Sequence, residues 1–323
     1  MTLSLTHCVS RRGAIRVKAP SESSAVWALR HIRMPRRASL LCLGLVVLIY
    51  LGADCYGQLL VRHAPEKWFP PAAWLPRATN GLLNFTFACT VAIQLMLIGG
   101  FLIGICRFRP REIGLNPTKL PAAVLFTALI WAADQVVLVI ILALMGHDIT
   151  LNPNWRGSGW TWAAGQWLAQ FFGVTPPEEV AFRGLLLPQC LLLMLGWMPT
   201  ARTGMQIGVA LVLSQGLFAL SHVFGNLYRP QGERLLLIQF AMGLAFAGVY
   251  LRTGNLFLAM GVHALSNNPS PLVKDPFDGP GLGGGIIMLG TLLSVVLGPW
   301  AVGFVRRWAS PAEPGAAADG GGM

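Results

Sequence analysis

The chain has 323 residues, of which 54% are hydrophobic and 11% charged, and its formal net charge is +11. Soluble domains carry about a quarter charged residues, so this composition excludes an ordinary water-soluble globule. The positive charge does not read as nucleic-acid binding. It sits in short blocks beside apolar runs, where it marks topology and meets anionic lipid headgroups.

Residues 1–38 form a basic N-terminal tail, read as disordered. Its first 33 residues carry Arg11, Arg12, Arg16, Lys18, Arg30 and Arg33 without an apolar period. Met34 follows, so translation from Met34 is a second reading. A cleaved signal peptide is not expected, because the run Leu40–Val61 is long for an h-region and has no small-residue cleavage pattern behind it.

Leu40–Val61, Leu82–Cys106, Pro121–Met145 and Ile286–Val305 each approach or exceed the ~20 apolar residues that cross a bilayer as a helix. No run alternates apolar and polar residues as the strands of a membrane β-barrel do. The expected fold is all-α, a polytopic transmembrane helix bundle of about eight spans. Helices are predicted near 39–61, 82–106, 121–145, 162–195, 204–224, 235–251, 254–268 and 284–305. The fourth is broken at Pro176-Pro177, because proline lacks an N–H and tends to start a helix rather than continue one. These spans make one domain, 39–308, with a motif core at 160–270. An Ala/Gly/Pro-rich tail, 309–323, is read as disordered.

Eight spans put both termini on one side, with 16 Arg and Lys there against 7 on the other. The positive-inside rule then predicts cytoplasmic termini in a multi-pass protein of the cell (inner) membrane. Without residues 1–33 the difference narrows to 10 against 7. Six cysteines (Cys8, Cys42, Cys55, Cys89, Cys106, Cys190) show no CxxC pairing or disulfide framework and read as packing residues. Nothing in the sequence sets an oligomeric state.

Ionisable groups inside apolar spans are costly and mark function by default. Glu178, Glu179, His222 and His263 qualify strongly, Asp54 and Asp134 less so. In Val174-Thr-Pro-Pro-Glu-Glu-Val-Ala-Phe-Arg-Gly184, the structural reading makes Thr175 and Glu178 a capping box. It makes Glu179 and Arg183 an i, i+4 ion pair. A cap needs one carboxylate, however, and two in a span carry a large desolvation penalty. His222 ends Phe218-Ala-Leu-Ser-His, and alone it reads as a helix–helix hydrogen-bonding residue. His263 and Asn267 are spaced i, i+4 and share one helical face.

Depth brings these groups together. Glu178 starts the second half of the fourth segment, His222 ends the antiparallel fifth, and His263 and Asn267 lie in the C-terminal half of the seventh. All four therefore meet in one layer of the membrane. A carboxylate assisted by an imidazole can take a proton from water, and a second imidazole and a carboxamide can donate to a developing oxyanion. Zinc is a rival use of Glu178, His222 and His263, although the metal-binding pattern His-Glu-x-x-His is absent. No cofactor is expected on this reading. Two further readings stand beside it: a proton- or ion-coupled transporter and a non-catalytic membrane scaffold. One broken helix without an internal repeat weakens the first of them.

Glu178-Glu179-x-x-x-Arg183, Phe218-x-x-x-His222 and His263-x-x-x-Asn267 resemble the three motifs of the CPBP family. That family comprises type II CAAX prenyl proteases and bacteriocin-processing or abortive-infection proteins. Gly184-Leu-Leu, Asn255-Leu-Phe-Leu-Ala and, less closely, Arg111-Glu-Ile-Gly-Leu add to the likeness. The resemblance implies a glutamate-dependent intramembrane endopeptidase. Glu178 would be its base, His222 the partner on the water, and His263 and Asn267 the oxyanion donors, with Glu179 and Arg183 in support. It implies a membrane-linked protein or peptide as substrate and the lipid bilayer as surroundings.

Overall fold

The computed structural model describes residues 37–62, 71–157, 159–226, 232–267, 272–274 and residue 290. Its helices are α1 (Leu40–Arg62), α2 (Pro71–Ala78), α3 (Phe85–Ile105), α4 (Leu120–Leu144), α5 (Gly159–Trp197), α6 (Thr203–Ser221), α7 (Val223–Asn226), α8 (Gly232–Thr253) and α9 (Leu256–Ser266). Among the described residues there is no strand, only one antiparallel bridge between Leu151 and Val273. The expected helix bundle is the observed fold. Apart from residue 290, the predicted eighth span falls outside the described residues, as do both tails apart from residues 37 and 38.

Among the described residues, five helices (α3, α4 with the turn before it, α5, α6 and α8) are long and apolar enough to cross a membrane. This is a multi-pass membrane protein. The seventh predicted span needs correction, because α9 has only 11 residues. At 1.5 Å per residue it rises about 16 Å, half a hydrocarbon core. Nine of those residues are buried, so α9 is apolar for contact with protein rather than with lipid.

The fourth segment needs a second correction, since α5 runs unbroken through Pro176-Pro177. The turn Thr175–Glu179 is α-helical, and widened π-helical stretches flank it at Ala169–Val174 and Val180–Leu186. The two prolines offer no N–H to the carbonyls one turn back. A π stretch shifts the bonding by one residue and lets the chain continue, as π-bulges do within helices. The Thr175 N–H bonds to the Gln170 carbonyl in that register.

α5 occupies the centre of the bundle, with α3 and α9 against its middle and α6 against its C-terminal half. α8 packs on α6, and α4 packs on α9. Two of the glycines permit close approaches near the centre. A Cβ on Gly184 would strike the Ile113 carbonyl, and one on Gly261 would strike the Thr127 side chain. α9 can therefore sit tightly between α4 and α5, with His263 facing the inside of the bundle.

Candidate active site

The two glutamates leave the α-helical turn of α5 where its surroundings are driest. Glu178 is 7% exposed, and Thr175, Glu179 and Arg183 are fully buried. The capping box does not form. The Thr175 hydroxyl donates to the Gln170 carbonyl at 3.0 Å, and the helix does not begin here, so Glu178 has no free end to cap. The predicted Glu179–Arg183 pair does form, with Nη1 donating to Oε1 at 2.9 Å. Arg183 Nη2 also donates to the Gly243 carbonyl at 3.3 Å, and the guanidinium carbon lies 4.0 Å from the Phe218 ring centre. A buried ion pair is tolerated only with further hydrogen bonds of this kind.

His263 joins both carboxylates. Its Nδ1 is 2.8 Å from Glu179 Oε1, the same oxygen that Arg183 holds, and its Nε2 is 3.6 Å from Glu178 Oε2. Nδ1 therefore carries a proton that it donates to Glu179, and Nε2 points at Glu178. Phe246 stacks on the imidazole at 4.4 Å and 20°, and the edge of Phe218 approaches it at 6.0 Å. The ring is held on its face and at its Nδ1. Glu178 Oε2, Glu179 Oε2 and Arg183 Nε are buried with no hydrogen-bond partner among the described residues. Such atoms raise the free energy of the fold until water or another polar group reaches them.

The other two predicted groups stand apart from the glutamates. His222 follows the last residue of α6, half-buried, with Nδ1 2.9 Å from the Phe218 carbonyl. Its ring meets Phe218 edge-on at 4.8 Å, so one phenyl ring touches both imidazoles. Among the described residues no hydrogen bond or ion pair links His222 to Glu178 or Glu179. Asn267 caps the C-terminus of α9, exposed, and its Nδ2 donates to Gln170 Oε1 at 2.8 Å.

Sequence reasoning missed Gln170. A polar residue in Trp167-Leu-Ala-Gln-Phe-Phe172 was a signal that could have found it, about two α-helical turns before Glu178. Phe246 carried no comparable signal, because a phenylalanine in an apolar helix reads as packing. Asp134 is buried on α4 and bonded to its neighbour Gln135 at 2.9 Å, without a contact to the motif residues among the described residues. The Asp54 side chain lies outside the described residues.

Glu178, His222 and His263, the candidate zinc ligands, do not gather into one ligand set among the described residues. Both ring nitrogens of His263 face carboxylates, Arg183 occupies the Glu179 oxygen nearest the ring, and Nδ1 of His222 is engaged by a backbone carbonyl. Among the described residues no group of three or more His, Cys, Asp or Glu is arranged to hold a metal ion.

No curated protein and no solved structure matches the chain. Residues 160–268, the stretch that contains all three motifs, match the family described as type II CAAX prenyl endopeptidase Rce1-like, a protease family of the kind those motifs resemble.

Proposed function

We propose that this protein is an intramembrane endopeptidase that hydrolyses a peptide bond of a membrane-linked protein or peptide with water activated by Glu178. One observation carries the reading: Glu178 Oε2 is buried, lacks a hydrogen-bond partner among the described residues, and lies 3.6 Å from His263 Nε2. A carboxylate in that state binds a water strongly and takes its proton as the oxygen attacks the substrate carbonyl. The proton then passes from Glu178 to the departing amine, which regenerates the carboxylate.

Glu179 and Arg183 act one step back from the reaction, by fixing the tautomer and orientation of His263. His263 Nε2, when protonated, and the second Nδ2 hydrogen of Asn267 are the donors for the developing oxyanion. Donors already in place need no reorganisation when charge develops, and this is why such sites accelerate acyl transfer. His222 assists on the side of the water, with the Phe218 carbonyl holding its Nδ1. The termini and the basic segment 107–119 face the cytoplasm, and the protein resides in the inner membrane.

The test is comparative proteomics of membrane-linked C-termini and leader peptides in wild-type, Glu178→Ala and His222→Ala strains. Loss of a general base reduces the rate by about 10²–10⁴-fold, so specific products should vanish while each variant still inserts into the membrane. Unchanged processing in both variants would remove the proposal.

A further inference from the structure

Cys42 is the third residue of α1, and Cys106 caps the C-terminus of α3. They are 64 residues apart in sequence, yet their sulfurs lie 3.0 Å from each other. The antiparallel course of α1 and α3 produces this meeting, because the start of one and the end of the other share one membrane face. The exposed Arg37, Arg107 and Arg109 place that face at headgroup level, where water and soluble oxidants reach it. Both thiols are half-buried rather than sealed in the core. Closure to the ~2.05 Å of a disulfide requires an approach of about 1 Å.

We propose that Cys42 and Cys106 are an oxidisable thiol pair, closed to a disulfide by exchange with a disulfide-bearing oxidant, either a low-molecular-weight disulfide or a protein one. One cysteine thiolate attacks the oxidant R–S–S–R and releases R–S⁻ with formation of a mixed disulfide. The second thiolate then displaces the remaining R–S⁻ and forms the Cys42–Cys106 bond. Two electrons pass to the oxidant, and the two protons from the cysteines end on two R–SH.

The bond fastens α1 to the end of α3, and α1 is the part of the bundle where this matters. Cys42, Val46 and Tyr50 recur every four residues and form the stripe that α1 turns toward its neighbours. Val46 is fully buried and Tyr50 is 8% exposed. Tyr50 meets Phe182 of α5 edge-on at 5.2 Å, Phe182 meets Phe218 at 5.3 Å, and Phe218 touches both histidines. The position of α1 is thus coupled by ring contacts to the candidate site, while the thiol chemistry itself is independent of any proteolytic activity.

The experiment uses the full-length protein in lipid vesicles, equilibrated with graded ratios of reduced and oxidised glutathione. Thiols are then alkylated under denaturing conditions, and the peptides are mapped by mass without reduction. The expected result is a linked peptide pair containing Cys42 and Cys106, with two of the six thiols lost to alkylation and restored by reductant. Cys42→Ser and Cys106→Ser should each abolish that loss. Retention of all six thiols in fully oxidised glutathione overturns the proposal, as does a spread of linkages over Cys8, Cys55, Cys89 and Cys190. Should a serine variant fail to insert, the wild-type peptide map decides alone.

Discussion

α4 and α5 are both long apolar helices, but they live in different solvents. In α5, 72% of the most apolar stretch is buried inside the protein, against 17% for the span that contains α4. α4 buries a single stripe of Ala123, Thr127, Asp134, Leu138 and Leu142, at the spacing of one helical face. Val124, Leu125, Phe126, Leu129, Val136 and Ile140 on its other sides are exposed and meet lipid. α5 has neighbours all round its motif region. An apolar surface toward lipid and an apolar surface toward protein look alike in a hydropathy count. Only the second can surround a charge with fixed partners, and Glu178, Glu179 and Arg183 sit there.

The largest expected effect tests whether that difference is energetic as well as geometric. Arg183→Met leaves Glu179 buried with His263 as its remaining partner, and breaking a buried pair from one side costs about 3–5 kcal/mol. Phe126→Ala on the lipid face of α4 should change stability by no more than about 0.5 kcal/mol, as substitutions away from packed features do. Thermal unfolding of both purified variants in detergent compares them directly. Equal shifts would mean that α5 is no more a structural centre than α4.

A smaller effect is expected at Gln170, on the N-terminal side of the same central turn. Gln170→Leu removes the acceptor for Asn267 Nδ2, a hydrogen bond worth about 0.5–1.5 kcal/mol. If Asn267 donates to the oxyanion, kcat should fall up to about tenfold with KM little changed. Gln170→Glu, which still accepts, should restore most of the rate. A change in KM alone, or no rescue by glutamate, would reduce Gln170 to a packing residue. The substrate for this measurement comes from the proteomic comparison of the Glu178→Ala strain.

How much of this was legible beforehand follows from what sets depth and what sets rotation. The spans at 39–61, 121–145 and 235–251 lie within a few residues of α1, α4 and α8, because runs of apolar residues are a one-dimensional signal. Parity along the chain predicted one layer for Glu178, His222, His263 and Asn267, and of these only Glu178 and His263 are paired with each other among the described residues. Rotation about each helix axis was not legible. A helix buried all round has no polar stripe to orient it, so the contact of His263 with Glu179, 84 residues away, had no local signature. The same blindness explains why His222 bonds to a backbone carbonyl rather than to a carboxylate, and why six cysteines without CxxC spacing hid an adjacent pair. The prolines misled for a different reason. Proline does remove a donor, but a π stretch on each side absorbs the defect without a break.

Asp134 sharpens the comparison at its weakest point, because it is the carboxylate on the lipid-facing helix. It is 5% exposed, accepts from Gln135 Nε2 at 2.9 Å through Oδ2, and has no hydrogen-bond partner for Oδ1 among the described residues. Gln135 in turn accepts from the Leu272 N–H at 3.3 Å, beyond the end of α9. If α4 serves only as a wall, Asp134→Asn keeps the shape and the acceptor while it removes a charge that must be held away from water. Stability should then rise or stay level, by less than about 1 kcal/mol, and the cleavage rate should stay within about twofold of wild type. A proton-coupled transporter would behave otherwise, since a relay needs a carboxylate that can exchange protons. Loss of proton flux in vesicles together with loss of function in Asp134→Asn would shift the working centre of the molecule from α5 toward α4. An unaltered rate would leave the ionisable chemistry on the buried helix, with Asp134 acting through Gln135 to hold the chain that follows α9.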